Sequence, residues 1–200
     1  MKEGKTLATF NVKNGVYGVS GKVAKLTYMA NFSKEANSDV KTIYGDGEIQ
    51  YSAINDKGFT GTIGVTARDI DYEKEIGLSM DIDGGVAEVQ IVKTTEHAIG
   101  FETEAIIDGV SKVKKVWAFG VETNRPSESL NQNTEGINES TVDYPITIKG
   151  VNLKDSGGSQ DYVDENGHTL KVFTYSKMPT DNGYATFLDT VPEPKAKVIL

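Results

Sequence analysis

Apolar and polar residues alternate in short runs along this chain, and clusters of glycine, asparagine and aspartate separate the runs. Period two with frequent turn punctuation predicts an all-β sandwich or barrel. Thr6 to Val12 and Lys22 to Met29 alternate around the turn signal Asn14-Gly15, which predicts an N-terminal hairpin. The polar stretch over about residues 29 to 39 reads as a long loop. Val40 to Tyr44 and Glu48 to Ser52 then form a hairpin across Gly45-Asp46-Gly47, because glycine supplies the positive φ of a tight turn. Asn55 to Gly58 reads as another turn, opening a strand from Phe59 to Ala67.

One helix is predicted over about residues 69 to 77, with Asp69 or Asp71 as its cap and Gly77 as its stop. Asp81 to Gly85 reads as a loop and Val86 to Val92 as a short apolar run. His97 to Ile107 and Val110 to Val121 make the strongest hairpin, turning at Asp108-Gly109. In its first strand Ile99, Phe101, Thr103, Ala105 and Ile107 share a core face, while Ala98, Gly100, Glu102, Glu104 and Ile106 share a wet, acidic one. Residues 122 to 140 and 152 to 167 are polar loops. Between them Ser140 to Val151 carries Val142, Tyr144, Ile146 and Ile148 on one face, and its Pro145 favours a sheet edge. Leu170 to Tyr175 is a last strand candidate. The expected fold is mainly β: a two-sheet sandwich or barrel-like domain over residues 1 to 178, flanked by one short α-helix. A C-terminal arm over 179 to 200 follows, and it ends on the apolar Val198-Ile199-Leu200, which calls for a surface to dock on.

Two hundred residues suffice for one domain with its own core. The 29 acidic and 21 basic side chains give a net charge of −8, which argues against a nucleic-acid-binding face. No cysteine is present, so disulfides, thiolate nucleophiles and cysteine metal sites are excluded. His97 and His168 are the only histidines, a poor supply for acid–base chemistry. Asp81-x-Asp83-Gly-Gly85 starts like a calcium loop but lacks the later ligands, and the acidic tract Asp155 to Glu165 lacks their spacing, so both read as turn and loop with no metal expected. Glu102 and Glu104 lie at i and i+2 on one strand and cannot flank a scissile glycosidic bond. With no Gly-x-Ser-x-Gly either, no enzyme and no cofactor are expected. No run approaches a membrane span and the N-terminus does not read as a signal peptide, so a soluble chain without a membrane partner is expected. Trp117, with Phe119 and Val121, reads as core or subunit contact ahead of a sugar-stacking platform.

The order of these features resembles the major tail (tail tube) proteins of long-tailed siphophages. The resemblance lies in the hairpin Val40 to Tyr51, the segment Gly58-Phe-Thr-Gly-Thr-Ile-Gly-Val65, and the short helix ending at Ile76-Gly77. It continues through the long strand pair His97 to Val121, Asn124-Arg-Pro-Ser127, and the polar stretch Glu128 to Glu139 leading into Thr141 to Gly150. It covers about residues 1 to 150; the segment from Asn152 onward does not follow the pattern. The resemblance implies a structural virion protein whose β-sandwich assembles into hexameric rings, stacked as a conduit for phage DNA ejection. It also implies tape measure, tail terminator and distal tail proteins as partners, and a place in the virion tail after assembly in the host cytoplasm. On that footing Glu102, Glu104 and Glu48 are expected to face the lumen, where carboxylates keep DNA from adhering. Tyr44, Tyr51, Ile199 and Leu200 are expected at subunit contacts, with residues 31 to 57 and the C-terminal arm between rings. The alternative is a carbohydrate-binding or adhesive β-sandwich module, which requires an exposed aromatic platform near Trp117.

Overall fold

The computed structural model describes residues 6–46, 48–93, 95–107, 109–128 and 142–196. In chain order these form β1 (Thr6–Val19), β2 (Lys22–Lys25), β3 (Met29–Gly45), β4 (Glu48–Val65), α1 (Ile70–Glu75), β5 (Ser79–Ile82) and β6 (Gly85–Glu88). They continue with β7 (His97–Ile107), β8 (Val110–Thr123), β9 (Val142–Ile148), β10 (Val151–Asn152), β11 (Lys171–Val172) and β12 (Thr174–Lys177). The protein is mainly β and sandwich-like, with one short helix, as the alternation predicted.

One antiparallel sheet runs in the order β2-β1-β7-β8-β9-β4-β3, with β12 added to β8. Its two halves face each other across the main core. Tyr17, Ile99, Phe101 and Val121 meet Ile63, Val65, Tyr144, Ile146 and Ile148 there, with Tyr72 and Ile76 of the helical segment alongside. Strand β8 belongs to both halves: along one edge it pairs β7, and along the other it pairs β12 through Lys115–Ala118 and then β9 through Val121–Thr123. Gly120 lies at the changeover with φ +60, packed so closely on the Gly150 backbone that a Cβ would overlap it. Only glycine satisfies both the dihedral and the approach.

The helix is built as its sequence dictates. Asp69 caps it by accepting from Tyr72 N at 3.1 Å, and Gly77 leaves it with φ +80. The same carboxylate accepts from Thr27 N and Thr27 Oγ1 at 2.8 and 2.6 Å, tying the helix start to the β2–β3 connection. The four apolar positions predicted for β9 are all buried.

Several expectations are corrected. The turn of the first hairpin lies at Ser20-Gly21, not Asn14-Gly15; Asn14 sits inside β1, where positive φ at Asn11 and Asn14 accompanies register shifts against β7. Residues 29 to 39 are not a loop but the first half of β3, paired to β4 from Met29 opposite Val65 to Asp39 opposite Asn55. That strand borders the sheet and is interrupted by bulges, so its side chains show no simple period. Asn55 to Gly58 is not a turn but part of β4, with Asn55 and Asp56 paired to β3 and a bulge at Lys57-Gly58. Asp81 to Gly85 belongs to the β5–β6 hairpin, turning at Asp83-Gly84, and the apolar run is strand only to Glu88. Strand β9 lies between β8 and β4, so Pro145 is not on an edge strand. Its carbonyl accepts from Asn124 N at 2.9 Å, on the side where the β8 ladder has ended, so the missing N–H interrupts no pairing. Leu170 to Tyr175 is split into β11 and β12. Residues 179 to 196 do not project as an arm: Phe187 and Leu188 pack with Ala98, Trp117 and Phe119 in a second core on the opposite face of the β7–β8 pair. Trp117 Nε1 donates to Phe187 O at 2.8 Å, and Lys154 N to Pro194 O at 2.9 Å.

Candidate assembly surface

The β3–β4 hairpin outgrows the sheet that holds it. Strand β9 supports β4 only over Phe59–Val65, so among the described residues the portion running from Ser38 to the tip and back to Asp56 is paired only with itself. Register places Val40 opposite Ile54, Ile43 opposite Tyr51 and Tyr44 opposite Ile49. All six are exposed, with Tyr44 at 67% and Ile54 at 73%. A two-stranded ribbon with unburied apolar side chains gains little stability by itself, and a cluster of this kind marks an interaction surface.

The base of this arm is anchored. Gly58 has φ +88, and a Cβ there would overlap the Ile148 carbonyl and crowd Phe173. Gly58 N donates to Asp56 Oδ1 at 2.9 Å, and Phe59 packs edge-on against Phe173 with centroids 5.3 Å apart. A salt bridge between Lys57 and Asp39 crosses the ribbon just above. The arm therefore leaves the body in a fixed direction.

Glu102 and Glu104 share a face of β7, as predicted, but lysines accompany them. Lys13 Nζ lies 2.9 Å from Glu104 and Lys115 Nζ 4.0 Å from Glu102, while Asn14 Nδ2 donates to Glu102 at 2.6 Å. The hydrogen bond from Lys13, and then its charge, hold the Glu104 carboxyl below the usual range. The stripe is balanced, not acidic. The upper part of the same face, Ala98 and Gly100, is buried, with Leu188 and Trp117 against Gly100. Glu48 sits at the arm tip on a different hairpin, so the fold does not bring it together with Glu102 and Glu104. Of the expected contact residues, Tyr44 and Tyr51 are exposed on the arm; Ile199 and Leu200 lie outside the described residues.

Trp117 is fully buried, which removes the platform required by a sugar-binding module at that position. A cleft of about 620 Å³ between Lys149, Asn152, Lys154, Asp161, Val191 and Glu193 has charges paired within it, such as Lys154 to Asp161 at 2.8 Å. The acidic tract is spent on backbone: Asp155 accepts from Ser159 N and Asp164 from His168 N, at 2.9 and 2.8 Å. Among the described residues no group of three or more histidines, aspartates and glutamates is placed to hold a metal ion, and no helix is long and apolar enough to cross a membrane.

Two buried polar networks escaped the sequence reading. Glu73, with no exposed surface, accepts from Arg68 at 2.7 and 2.8 Å, Ser79 Oγ at 2.6 Å and Tyr144 Oη at 2.6 Å, and Arg68 reaches on to Glu88. Burial pushes the Glu73 carboxyl up, but these donors together outweigh it and hold it below the usual range. In the second, His97 Nδ1 donates to Thr95 O at 2.8 Å, which leaves Nε2 to accept from Tyr72 Oη at 2.9 Å. Burial pushes the His97 pKa down to about 4. Both networks clamp the helix to the sheet. Arg68, Glu73 and Ser79 lie close in sequence, as do Thr95 and His97, but Tyr144 and Thr123 come from distant strands, and His97 lies 25 residues from Tyr72.

No protein-family model matches the chain, and no curated protein sequence matches it.

Proposed function

We propose that the protein is a structural subunit that assembles with copies of itself, as the tail tube subunit of a long-tailed phage, in stacked hexameric rings through which DNA leaves. The observation that carries this reading is the β3–β4 arm: a long ribbon, rigid at its base, whose apolar side chains are covered by none of the described residues of one copy. Covering them with another copy removes the exposed patch and the free edge of β3 together. The balanced stripe of Lys13, Glu102, Glu104 and Lys115 is proposed as lumen wall, where paired charges present little net potential to a passing phosphate backbone. The tape measure, terminator and distal tail proteins are the partners this assignment entails.

Electron microscopy with light scattering across concentration and salt tests the reading. Rings or tubes are expected from the unaltered chain, and Tyr44→Glu with Tyr51→Glu should abolish them while leaving the circular dichroism spectrum and melting temperature unchanged. Assembly that survives this double substitution would remove the arm from the contact. A chain that stays monomeric at every concentration and salt, including with pre-formed tail tips as seeds, would remove the tube reading itself.

A further inference from the structure

A cleft of about 370 Å³ opens between β1, β3, β7, β8 and β12. Phe10, Val12, Phe32, Phe101 and Val116 wall it, and Lys34 and Lys114 both line it, with the Thr174 and Ser176 side chains beside them. Lys34 Nζ stands 4.5 Å over the Phe59 ring and 3.4 Å from Thr174 Oγ1. Burial, and then the neighbouring Lys114 charge, push its pKa down. Neither lysine has a carboxylate partner among the described residues, whereas Lys13, Lys57, Lys115, Lys149 and Lys154 each have one within 4.0 Å. Two like charges in an apolar-walled cleft, in a chain with net charge −8, are a recognition surface for a carboxylate on an apolar segment.

The chain carries such a segment. At the tip of the β3–β4 arm, Asp46 and Glu48 are exposed without a partner among the described residues, and Tyr44 and Ile49 beside them are exposed at 67% and 63%. Asp46 lies twelve residues beyond Lys34 along the extended β3–β4 ribbon, so the tip is roughly 40 Å from its own cleft. It cannot fold back to fill it. We propose that the cleft between Lys34 and Lys114 receives the Asp46–Glu48 tip of a second copy, a head-to-tail contact that leaves one tip and one cleft free and so propagates. This rests on the arm being the self-assembly contact and names what the arm docks into.

The absence of cysteine makes cross-linking decisive. The full chain carrying Asp46→Cys and Ser176→Cys keeps Lys34, Lys114 and Glu48, and mild oxidation should give a ladder of multimers. Asp46→Cys alone should give dimers at most. Separately, Lys34→Glu with Lys114→Glu, and Asp46→Lys with Glu48→Lys, should each weaken self-association at least about tenfold. An equimolar mixture of these two variants restores both complementary pairs and should recover assembly. The cleft is overturned if no ladder forms while the unaltered chain assembles, or if the lysine variant assembles as the unaltered chain does. In either of those outcomes a loss of assembly in the Tyr44 and Tyr51 variant would leave the arm itself standing. A chain that never self-associates overturns both.

Discussion

His97 shows how one buried side chain sets an acid limit on the fold. Its unfolded pKa is near 6.5 and its folded value about 4, so between those values the unfolded chain binds a proton that the folded chain refuses. Stability from this group is fully present above about pH 6.5 and lost as pH falls toward 4, by about 3 kcal/mol in all. Urea midpoints at pH 7, 5.5 and 4.5 should follow that slope, and His97→Gln should flatten it. Glu73 carries the larger stake at neutral pH. Glu73→Ala would strand the part-buried Arg68 and orphan the Tyr144 and Ser79 hydroxyls, and a loss of about 3–5 kcal/mol is expected by chemical denaturation. These residues were visible in the sequence only as a helix with a cap and an early glutamate. Arg68 and Ser79 are near neighbours, but the remaining partners come from β7, β8 and β9, and no local spacing encodes which of those strands the fold will bring beside Tyr72 and Glu73.

At the scale of the element, the β3–β4 hairpin was half legible. The flanking Val40 to Tyr44 and Glu48 to Ser52 runs and the turn between them followed from punctuation and alternation, although the positive φ there falls on Asp46 and Gly47 lies outside the described residues. The hairpin's full reach from Met29 to Val65 did not, because the bulge between the Ala36–Phe59 and Ser38–Asp56 pairs shifts the side-chain period. Gly58 is where this can be tested. Gly58→Ala combines an unfavourable φ with an overlap on Ile148 O and should cost at least about 2 kcal/mol. Gly109→Ala, at φ +78 with nothing near the added methyl, should cost only about 1 kcal/mol. Melting temperatures of the two variants make the comparison. On β7 the alternation put Glu102 and Glu104 on the correct face, but Lys13 and Lys115 reach them only through pairing with β1 and β8.

For the whole molecule, the C-terminal segment changes from appendage to core. Ending the chain after Lys177 would uncover Trp117 and remove Phe187 and Leu188, and a loss on the order of 5 kcal/mol is expected from the apolar burial alone. A shortened chain that melts with the full one would place the second core outside the folding unit. The assembled protein should repeat along the arm on the order of 40 Å, set by the strand length between Lys34 and the tip, as read from electron micrographs of the assembly. By itself the sequence determined the mainly β class, the capped helix, the β7–β8 hairpin and the buried stripe of β9, since period and turn chemistry act between near neighbours. Only the tertiary structure decided that β8 joins both halves of the sheet, that residues 179 to 196 close a second core, and that the arm extends past its β9 support. Each of those depends on which distant strands meet, and that is settled by burial summed over the whole chain, not by any local run of residues.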